Sequence, residues 1–178
     1  MNPVRAAGRT VRMRLGLTLL VAACLVVGAP RAASSPSGTP TEAQNLLVRL
    51  INMERTARGA PPLVLDADLC EAARRHAEDM IASGYFGHRS PTLGTLASRL
   101  GRLGIPFRKA GENLAGHTSV AGAHKMLMDS GVHRGNILDP EFNRLGVAVV
   151  TGGPYGAMIV EVFLCGQAGS PLLAGTGR

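Results

Sequence analysis

Three short polar segments of the 178-residue chain carry side chains that could do chemistry. They are FGHRSP with His88, AGENLAG with Glu112, and SGVHRGNIL with His133. Each borders an apolar stretch, so we expect it at a junction of elements, where a side chain can point into a cleft. Two imidazoles and a carboxylate are common ligands of zinc and other divalent cations. Their spacing matches neither H-E-x-x-H nor paired C-x-x-C. A hydrogen-bonded trio is therefore the simpler interpretation, and a metal site is the alternative.

Other histidines and serines carry weaker signals. Ser90 lies in the first polar segment, but HRS is not a nucleophile elbow, and Ser130 has no evident oxyanion donors nearby. Nucleophilic catalysis is therefore not predicted. We expect His76 to pack half-buried on a helix and His117 to border the cleft of the three segments. His124 is expected on a solvated helix face.

The net charge of +7 does not describe the folded part of the chain. Five of the 19 Lys and Arg residues lie before residue 34, where no acidic residue is found. From residue 34 onward, 14 basic residues oppose 12 acidic ones. A basic surface for nucleic acid is therefore not indicated, and we exclude nucleic acid as the expected partner.

The basic N-terminus is typical of an export signal. Four arginines precede the apolar run LGLTLLVAACLVVGA at residues 15–29, which is short for a membrane span. We assign residues 1–33 to a secretory signal and residues 34–40, SSPSGTP, to a linker. A retained membrane anchor and a lipobox with lipidation at Cys24 are the alternatives. The predicted location is extracellular or periplasmic, with membrane contact only through the signal segment or a lipid on Cys24.

Cysteine usage is compatible with export. Beyond Cys24 the chain has only Cys70 and Cys165, which allows one disulfide in an oxidising compartment. The alternative is that Cys70 is a small buried hydrophobe on its helix. We predict that the two are bonded or lie near each other.

Helix signals dominate the first part of the chain after the linker. Thr41 and Gln44 have the spacing of a capping box, and this helix should end near Gly59. A second capping signal at Asp68 predicts another helix, with an apolar stripe that ends at Gly84. We therefore expect two amphipathic helices before the first polar segment.

The second part of the chain changes from helical to strand-like patterns. A short helix is predicted around residues 96–103 and another over 119–130, with His133 in the turn that follows. RLGVAVVT and YGAMIVEVFLC then read as two strands joined by a hairpin. The second is apolar on both faces, which predicts a central, covered strand. The pattern indicates an α+β sandwich, and residues 167–178 form a loose tail.

Five motifs in order resemble one family. LINMERTARGAPPLVLDADLCEAARRHAEDM, GYFGHRSP, AGENLA, SGVHRGNILDPEFNRLGVAVV and IVEVF resemble the CAP superfamily of cysteine-rich secretory, antigen 5 and pathogenesis-related 1 proteins, in its bacterial, SCP-like extracellular branch. The resemblance runs from Thr41 to Cys165. It implies a three-layer α-β-α sandwich with a central antiparallel sheet over a domain at residues 41–166.

The resemblance also implies a site. His88, Glu112 and His133 match the family's cavity positions, which in some members hold a divalent metal such as zinc. A second family glutamate falls near Asp129 and Ser130, where this chain has no glutamate. Glu161 stands where the bacterial branch often has glutamine, and a buried carboxylate there would need a partner.

The implied function is that of a secreted binding module for a small-molecule or lipid ligand. The alternative is a metal-dependent hydrolase of peptide or cell-wall material, with Glu112 as general base. A third is an extracellular scaffold. Because the family has no generally agreed catalytic activity, the interpretation leans away from an enzyme.

Overall fold

The computed structural model describes residues 40–166 as five helices and four strands. The helices are α1 (Glu42–Ala57), α2 (Ala67–Ser83), α3 (Leu96–Arg102), α4 (Val120–Asp129) and α5 (Gly131–Leu138). The strands are β1 (Val64–Leu65), β2 (Lys109–Gly116), β3 (Arg144–Thr151) and β4 (Ala157–Cys165). The predicted signal segment with Cys24, almost all of the linker and the C-terminal tail lie outside the described residues. Within residues 40–166, no helix has the length and hydrophobicity needed to cross a membrane.

The first two helices begin where local side chains satisfy their amide groups. The predicted capping box of α1 is present, with Thr41 and Gln44 bonded to each other's backbone. Helix α2 begins two residues earlier than predicted, because Asp66 rather than Asp68 is its N-cap and accepts a hydrogen bond from Leu69 N at 3.0 Å. Asp66 N donates to a β3 carbonyl, so the chain stays extended up to that residue. Gly84 ends α2 in the left-handed conformation, as predicted.

The sheet has the order β1-β3-β4-β2. The three long strands pair antiparallel, and β4 is central, as the sequence predicted. Two-residue β1 pairs parallel with β3, so the sheet is mixed rather than wholly antiparallel. Strand β2 was not predicted, since AGENLAG was expected at a junction. Its glycines and polar residues have low strand propensity, and its pairing with β4 over all eight residues outweighs that.

Helices cover both faces of the sheet and form the three-layer sandwich that was expected. One core cluster joins α2 and α3 to Val160, Val162 and Leu164 of β4. The other joins α1, α4 and α5 to Ile159 and Phe163 of the same strand. Each fully buried aliphatic side chain contributes about 1.5–3 kcal/mol. The alternation along β4 therefore fixes which helices face which side of the sheet.

His133 lies in helix α5 and not in the predicted turn. Ser130 ends α4 and begins α5, so the chain changes direction through one extended residue, with φ −85° and ψ 121°. Arg134 N donates to Ser130 O at 2.8 Å in the first turn of α5. The two glycines of this helix lower its intrinsic helix propensity, so the sequence alone did not predict it. Burial of Ile137 in the core stabilises it instead.

Of the two alternatives for Cys70 and Cys165, the disulfide is not formed within residues 40–166, where both thiols are free. Cys70 Sγ accepts from Val147 N at 3.4 Å, and Val147 pairs with Glu161. Cys165 lies four residues beyond Glu161 on β4, about 13 Å at the usual rise of a strand. Cys70 is the partly buried hydrophobe of the alternative interpretation.

Candidate functional site

Glu112 is the centre of the candidate site. It lies on edge strand β2 and faces the α2 and α3 layer, where its side chain is only 3% exposed. Oε1 accepts a hydrogen bond from His88 Nδ1 at 2.9 Å, and Oε2 forms an ion pair with Arg99. Both carboxylate oxygens therefore have partners.

Arg99 contacts both members of the His88–Glu112 pair. Besides Glu112, its guanidinium donates to His88 O at 3.0 Å and to Gly94 O at 3.2 Å. Arg99 is buried, although it belongs to a short helix with exposed neighbours. Arg99 was not among the residues predicted for the site. A signal existed, because Arg99 shares the helical face of apolar Leu96 and Leu100, where a charged residue needs a buried partner.

His88 has the geometry of an oriented imidazole. Its side chain is 60% exposed, in the loop that follows α2. An ionised carboxylate can accept hydrogen bonds but cannot donate them, so the ring nitrogen that faces Glu112, Nδ1, carries a proton. In the neutral ring the lone pair is therefore on Nε2. Nε2 makes no hydrogen bond within residues 40–166. The ring can therefore ligate a cation or accept a proton at Nε2, with the carboxylate behind it.

The loop that carries His88 is fixed by a second, partly exposed hydrogen-bond network around Asp79. Asp79 accepts hydrogen bonds from Ser90 Oγ at 2.6 Å, from Thr92 Oγ1 at 2.5 Å and from the hydroxyl of Tyr85. Burial alone would raise the pKa of Asp79, but these three bonds outweigh it and lower that pKa. Ser90 thus anchors the loop.

His76 connects the two networks. It is fully buried rather than half-buried, with Nε2 at 3.8 Å from Glu112 Oε1 and Nδ1 at 3.4 Å from Tyr85 Oη. Burial lowers the pKa of His76 more than nearby Glu112 raises it. A neutral His76 therefore packs behind the Glu112 carboxylate and does not compete with Arg99 for an ion pair with it.

A third network, on the opposite face of the sheet, positions His133. Asn113 follows Glu112 on β2, and its Nδ2 donates to His133 O at 3.1 Å and to Glu161 Oε2 at 2.9 Å. Asn136 Nδ2 donates to Asn113 Oδ1 at 2.9 Å. Helix α5 is therefore bound to the edge strand through side-chain amides. The partner that buried Glu161 was expected to need is Asn113.

His88 and His133 are held at strand β2 through neighbouring residues, His88 by Glu112 and the His133 backbone by Asn113. Burial, and then the charge of His88, lower the pKa of His133. Asp129 is placed differently, since its side chain is 66% exposed and pairs with Lys125 Nζ at 2.6 Å. Ser130 lies at the α4–α5 junction, without a side-chain cap bond. The structure thus joins His88 to Glu112 directly, and the convergence of the His133 ring on them stays a prediction.

The two remaining histidines lie elsewhere. His117 Nδ1 accepts from Ser119 N at 2.9 Å, beside the N-terminus of α4. His124 is buried, so the prediction of a solvated face is wrong. Its helix is covered by α1 on that side, which the pattern of α4 alone did not reveal.

Glu112 does not fit the role of a direct metal ligand. Among the described residues, no group of three or more His, Cys, Asp or Glu side chains is placed to hold one ion. Both oxygens of Glu112 are already committed, whereas Nε2 of His88 and the ring of His133 have lone pairs to offer. The residues therefore offer imidazole nitrogens, rather than the carboxylate, as candidate ligands, with Glu112 orienting His88.

Comparison with known proteins agrees with the fold and the motifs. Residues 48–167 match the family described as CAP, the cysteine-rich secretory protein family. The chain is 38% identical over 121 residues to the uncharacterized protein YkwD of Bacillus subtilis (strain 168). That match covers 67% of this chain and 47% of YkwD, so the chain spans about half the length of this relative.

Solved structures show the same architecture. An extracellular protein containing an SCP domain from Bacillus anthracis str. Ames is 33% identical, with a TM-score of 0.63 over 73% of this chain and 45% of that one. An outer surface protein of Borrelia burgdorferi has a TM-score of 0.65 over 73% of this chain and 98% of its own, at 16% identity, which shows the fold alone. The resemblance found in the sequence is confirmed: the chain belongs to the CAP, or cysteine-rich secretory protein, family.

Proposed function

We propose that this protein is an exported binding module whose His88 and His133 rings hold a divalent cation, with zinc as the reference ion. The hydrogen bond from His88 Nδ1 to Glu112, at 2.9 Å, is the observation that carries the proposal. A carboxylate behind a metal-binding histidine fixes the tautomer and makes the other ring nitrogen a better ligand. Arg99 holds that carboxylate in place.

Two imidazoles leave coordination positions open. Water or an oxygen atom of a small ligand would fill them, as in zinc sites that exchange ligands. With two protein ligands we expect modest affinity. Because burial lowers the pKa of His133, its ring is neutral at pH 7, and zinc should be lost when the pH falls through that lowered pKa.

Calorimetric titration of the exported protein with zinc tests the proposal. His88→Ala and His133→Ala should each abolish measurable binding, and Glu112→Gln should weaken it about 10–100-fold. Asp129→Asn is the matched control, because Asp129 pairs with Lys125 and should not affect zinc. Uptake of no zinc by the wild type, or unchanged binding by His88→Ala, would sink the proposal.

A hydrolase is the second candidate function, with a different general base from the one expected. Glu112 is enclosed by His88 and Arg99, which argues against it as the general base. Exposed His88 Nε2, backed by the carboxylate, is the better base. Turnover of a peptide or cell-wall fragment that disappears in His88→Ala would favour catalysis. Stoichiometric binding without turnover would favour the binding module.

The organic ligand is proposed to be a small molecule or a lipid. Phe86, two residues before His88, packs edge to face with Tyr155, with ring centroids 5.6 Å apart, and both rings are partly exposed. Such an amphipathic pair can contact an apolar or ring-shaped ligand. Native mass spectrometry of protein purified from its host would detect a carried molecule, and a bare mass would count against a tightly held one.

Export is part of the proposal. The basic, then apolar N-terminus supports it, as does the B. anthracis relative, which is described as extracellular. N-terminal sequencing of the exported protein should begin between Cys24 and about residue 35. An acyl mass increment on Cys24 would identify a lipid-anchored form, and a chain that still begins at Met1 would refute cleavage.

A further inference from the structure

A second cleft lies among the helices that cover the other face of the sheet from Glu112. Its volume is about 530 Å³. Residues from three helices line it, chiefly Glu54, Arg58, His124, Lys125, Met128 and Arg134. Its size is within the range of small-molecule sites, and its lining is unusually polar.

His124 lines this cleft with both ring nitrogens unsatisfied. The residue is 5% exposed, and neither Nδ1 nor Nε2 has a hydrogen-bond partner within residues 40–166. Burial lowers the pKa of His124 more than nearby Glu54 raises it, so the ring is neutral. A neutral imidazole has one donor and one acceptor, and burial without partners costs stability. A ligand hydroxyl, which both donates and accepts, would satisfy one of these shielded nitrogens once the ring turns toward the cleft.

Among the basic residues of 40–166 that line the cleft, Arg134 is the one without a carboxylate partner. Arg58 pairs with Glu54, and Lys125 pairs with Asp129. Arg134 Nη1 donates to Met128 O at 2.8 Å, and no carboxylate of residues 40–166 forms an ion pair with it. Its other guanidinium hydrogens remain available for a carboxylate or phosphate group.

We propose that this cleft binds a small polyhydroxylated anion, a sugar acid or a sugar phosphate, with its acidic group on Arg134 and a hydroxyl on His124. The two contacts come from different helices, α5 and α4, so the ligand bridges them. Recognition requires both an anionic group and hydroxyls on one molecule. This site is independent of the zinc proposal, because neither His88 nor Glu112 lines the cleft.

Titration of the exported protein with glucuronate and glucose 6-phosphate tests both sources of the anion. Ring signals of isotope-labelled histidines should shift for His124 on binding, and not for His88. Glucose has no anionic group, and inorganic phosphate has no sugar hydroxyls. Each should therefore bind at least tenfold more weakly than the two sugar anions. If neither sugar anion binds at millimolar concentration, the proposal is overturned.

Variants separate the cleft from general effects of charge. His124→Phe removes both unsatisfied nitrogens and keeps a buried ring, so we expect an unchanged or raised Tm and at least a tenfold loss of affinity. Arg134→Gln should weaken binding by a similar factor. It should leave the stability of the fold unchanged, since the Arg134 side chain is exposed. Arg49→Gln, on an exposed position of α1 outside the cleft, is the control and should bind normally. Unchanged affinity in Arg134→Gln, or in a folded His124→Phe, contradicts the proposal. Zinc titration of the same variants should match the wild type.

Discussion

Replacing Glu161 by glutamine should stabilise the protein strongly above neutral pH and much less in mild acid. Glu161 is fully buried in the middle of β4. Asn113 donates to one of its oxygens, and the other has no partner in the described part of the chain. Burial raises the pKa of Glu161 to about 7, and the hydrogen bond from Asn113 opposes this only in part. The ionised form is therefore the costly one.

The magnitude follows from proton linkage. In the unfolded chain Glu161 ionises near its ordinary pKa of 4.5, whereas in the folded protein it keeps its proton up to about 7. The protonated group stabilises the fold fully below the unfolded pKa, and this stabilisation is lost as the pH rises through the folded pKa. The difference corresponds to about 3.5 kcal/mol at most, since one pKa unit is about 1.4 kcal/mol. Glutamine has no such dependence.

Urea unfolding of wild type and Glu161→Gln, at about pH 5 and about pH 8, measures the effect. The advantage of the variant should grow by about 2–3 kcal/mol between the two conditions. Subtraction removes the contributions of His76 and His133, whose lowered pKa values act in the opposite direction in both proteins. An advantage that does not change with pH would refute the argument that Glu161 is protonated in the folded state.

Three further outcomes are expected. Gly146→Ala should destabilise the fold by about 1–3 kcal/mol in urea unfolding, because its Cβ would lie 2.2 Å from the backbone of α2. Gly101→Ala, with open space around it in α3, should instead stabilise by about 0.5–1 kcal/mol, and equal effects would contradict this. Arg55→Lys should cost about 3 kcal/mol or more in the same assay, since four backbone carbonyls lose a fitted donor; a loss below about 1 kcal/mol would refute it. Thiol labelling of the unfolded, unreduced exported protein should find Cys70 and Cys165 both reactive, and a missing pair would mean a disulfide forms.

The features predicted correctly from the sequence are those that short-range chemistry decides. The capping box at Thr41 and the glycine that ends α2 involve atoms a few residues apart. The alternation along β4 identified a central strand because both of its faces are apolar. Each of these signals is complete within a dozen residues, so no knowledge of the tertiary structure was needed.

The elements that were missed depend on distant partners. Strand β2 is a strand because β4 pairs with it, and α5 is a helix because Ile137 reaches the core and Asn136 reaches β2. The intrinsic strand propensity of β2 and the intrinsic helix propensity of α5 are both too low to predict these elements. His124 was misplaced for the same reason, since the cover over its face comes from α1.

The buried arginines were missed for a different reason. A charged residue is expected at the surface, and its burial is tolerated only when every donor finds an acceptor. Arg55 finds four carbonyls and Arg99 finds Glu112 with two more carbonyls, and none of these acceptors is recognisable before the chain is folded. The residues that resemble the family motif were identified, but not the residue that holds them.

The neighbouring residues Glu112 and Asn113 explain why two histidines from distant parts of the chain are both held at one edge of the sheet. Successive side chains of a strand point to opposite faces, so Glu112 reaches the loop that carries His88, while Asn113 reaches the backbone of His133 in α5. A shift of β2 by one residue would exchange these faces and separate both histidines from their supports. Eight residue pairs with central β4 resist that shift, and buried Glu161 adds a hydrogen bond to Asn113 that only the observed register allows. The costly buried carboxylate therefore lies where it ties the geometry of the site to the register of the sheet.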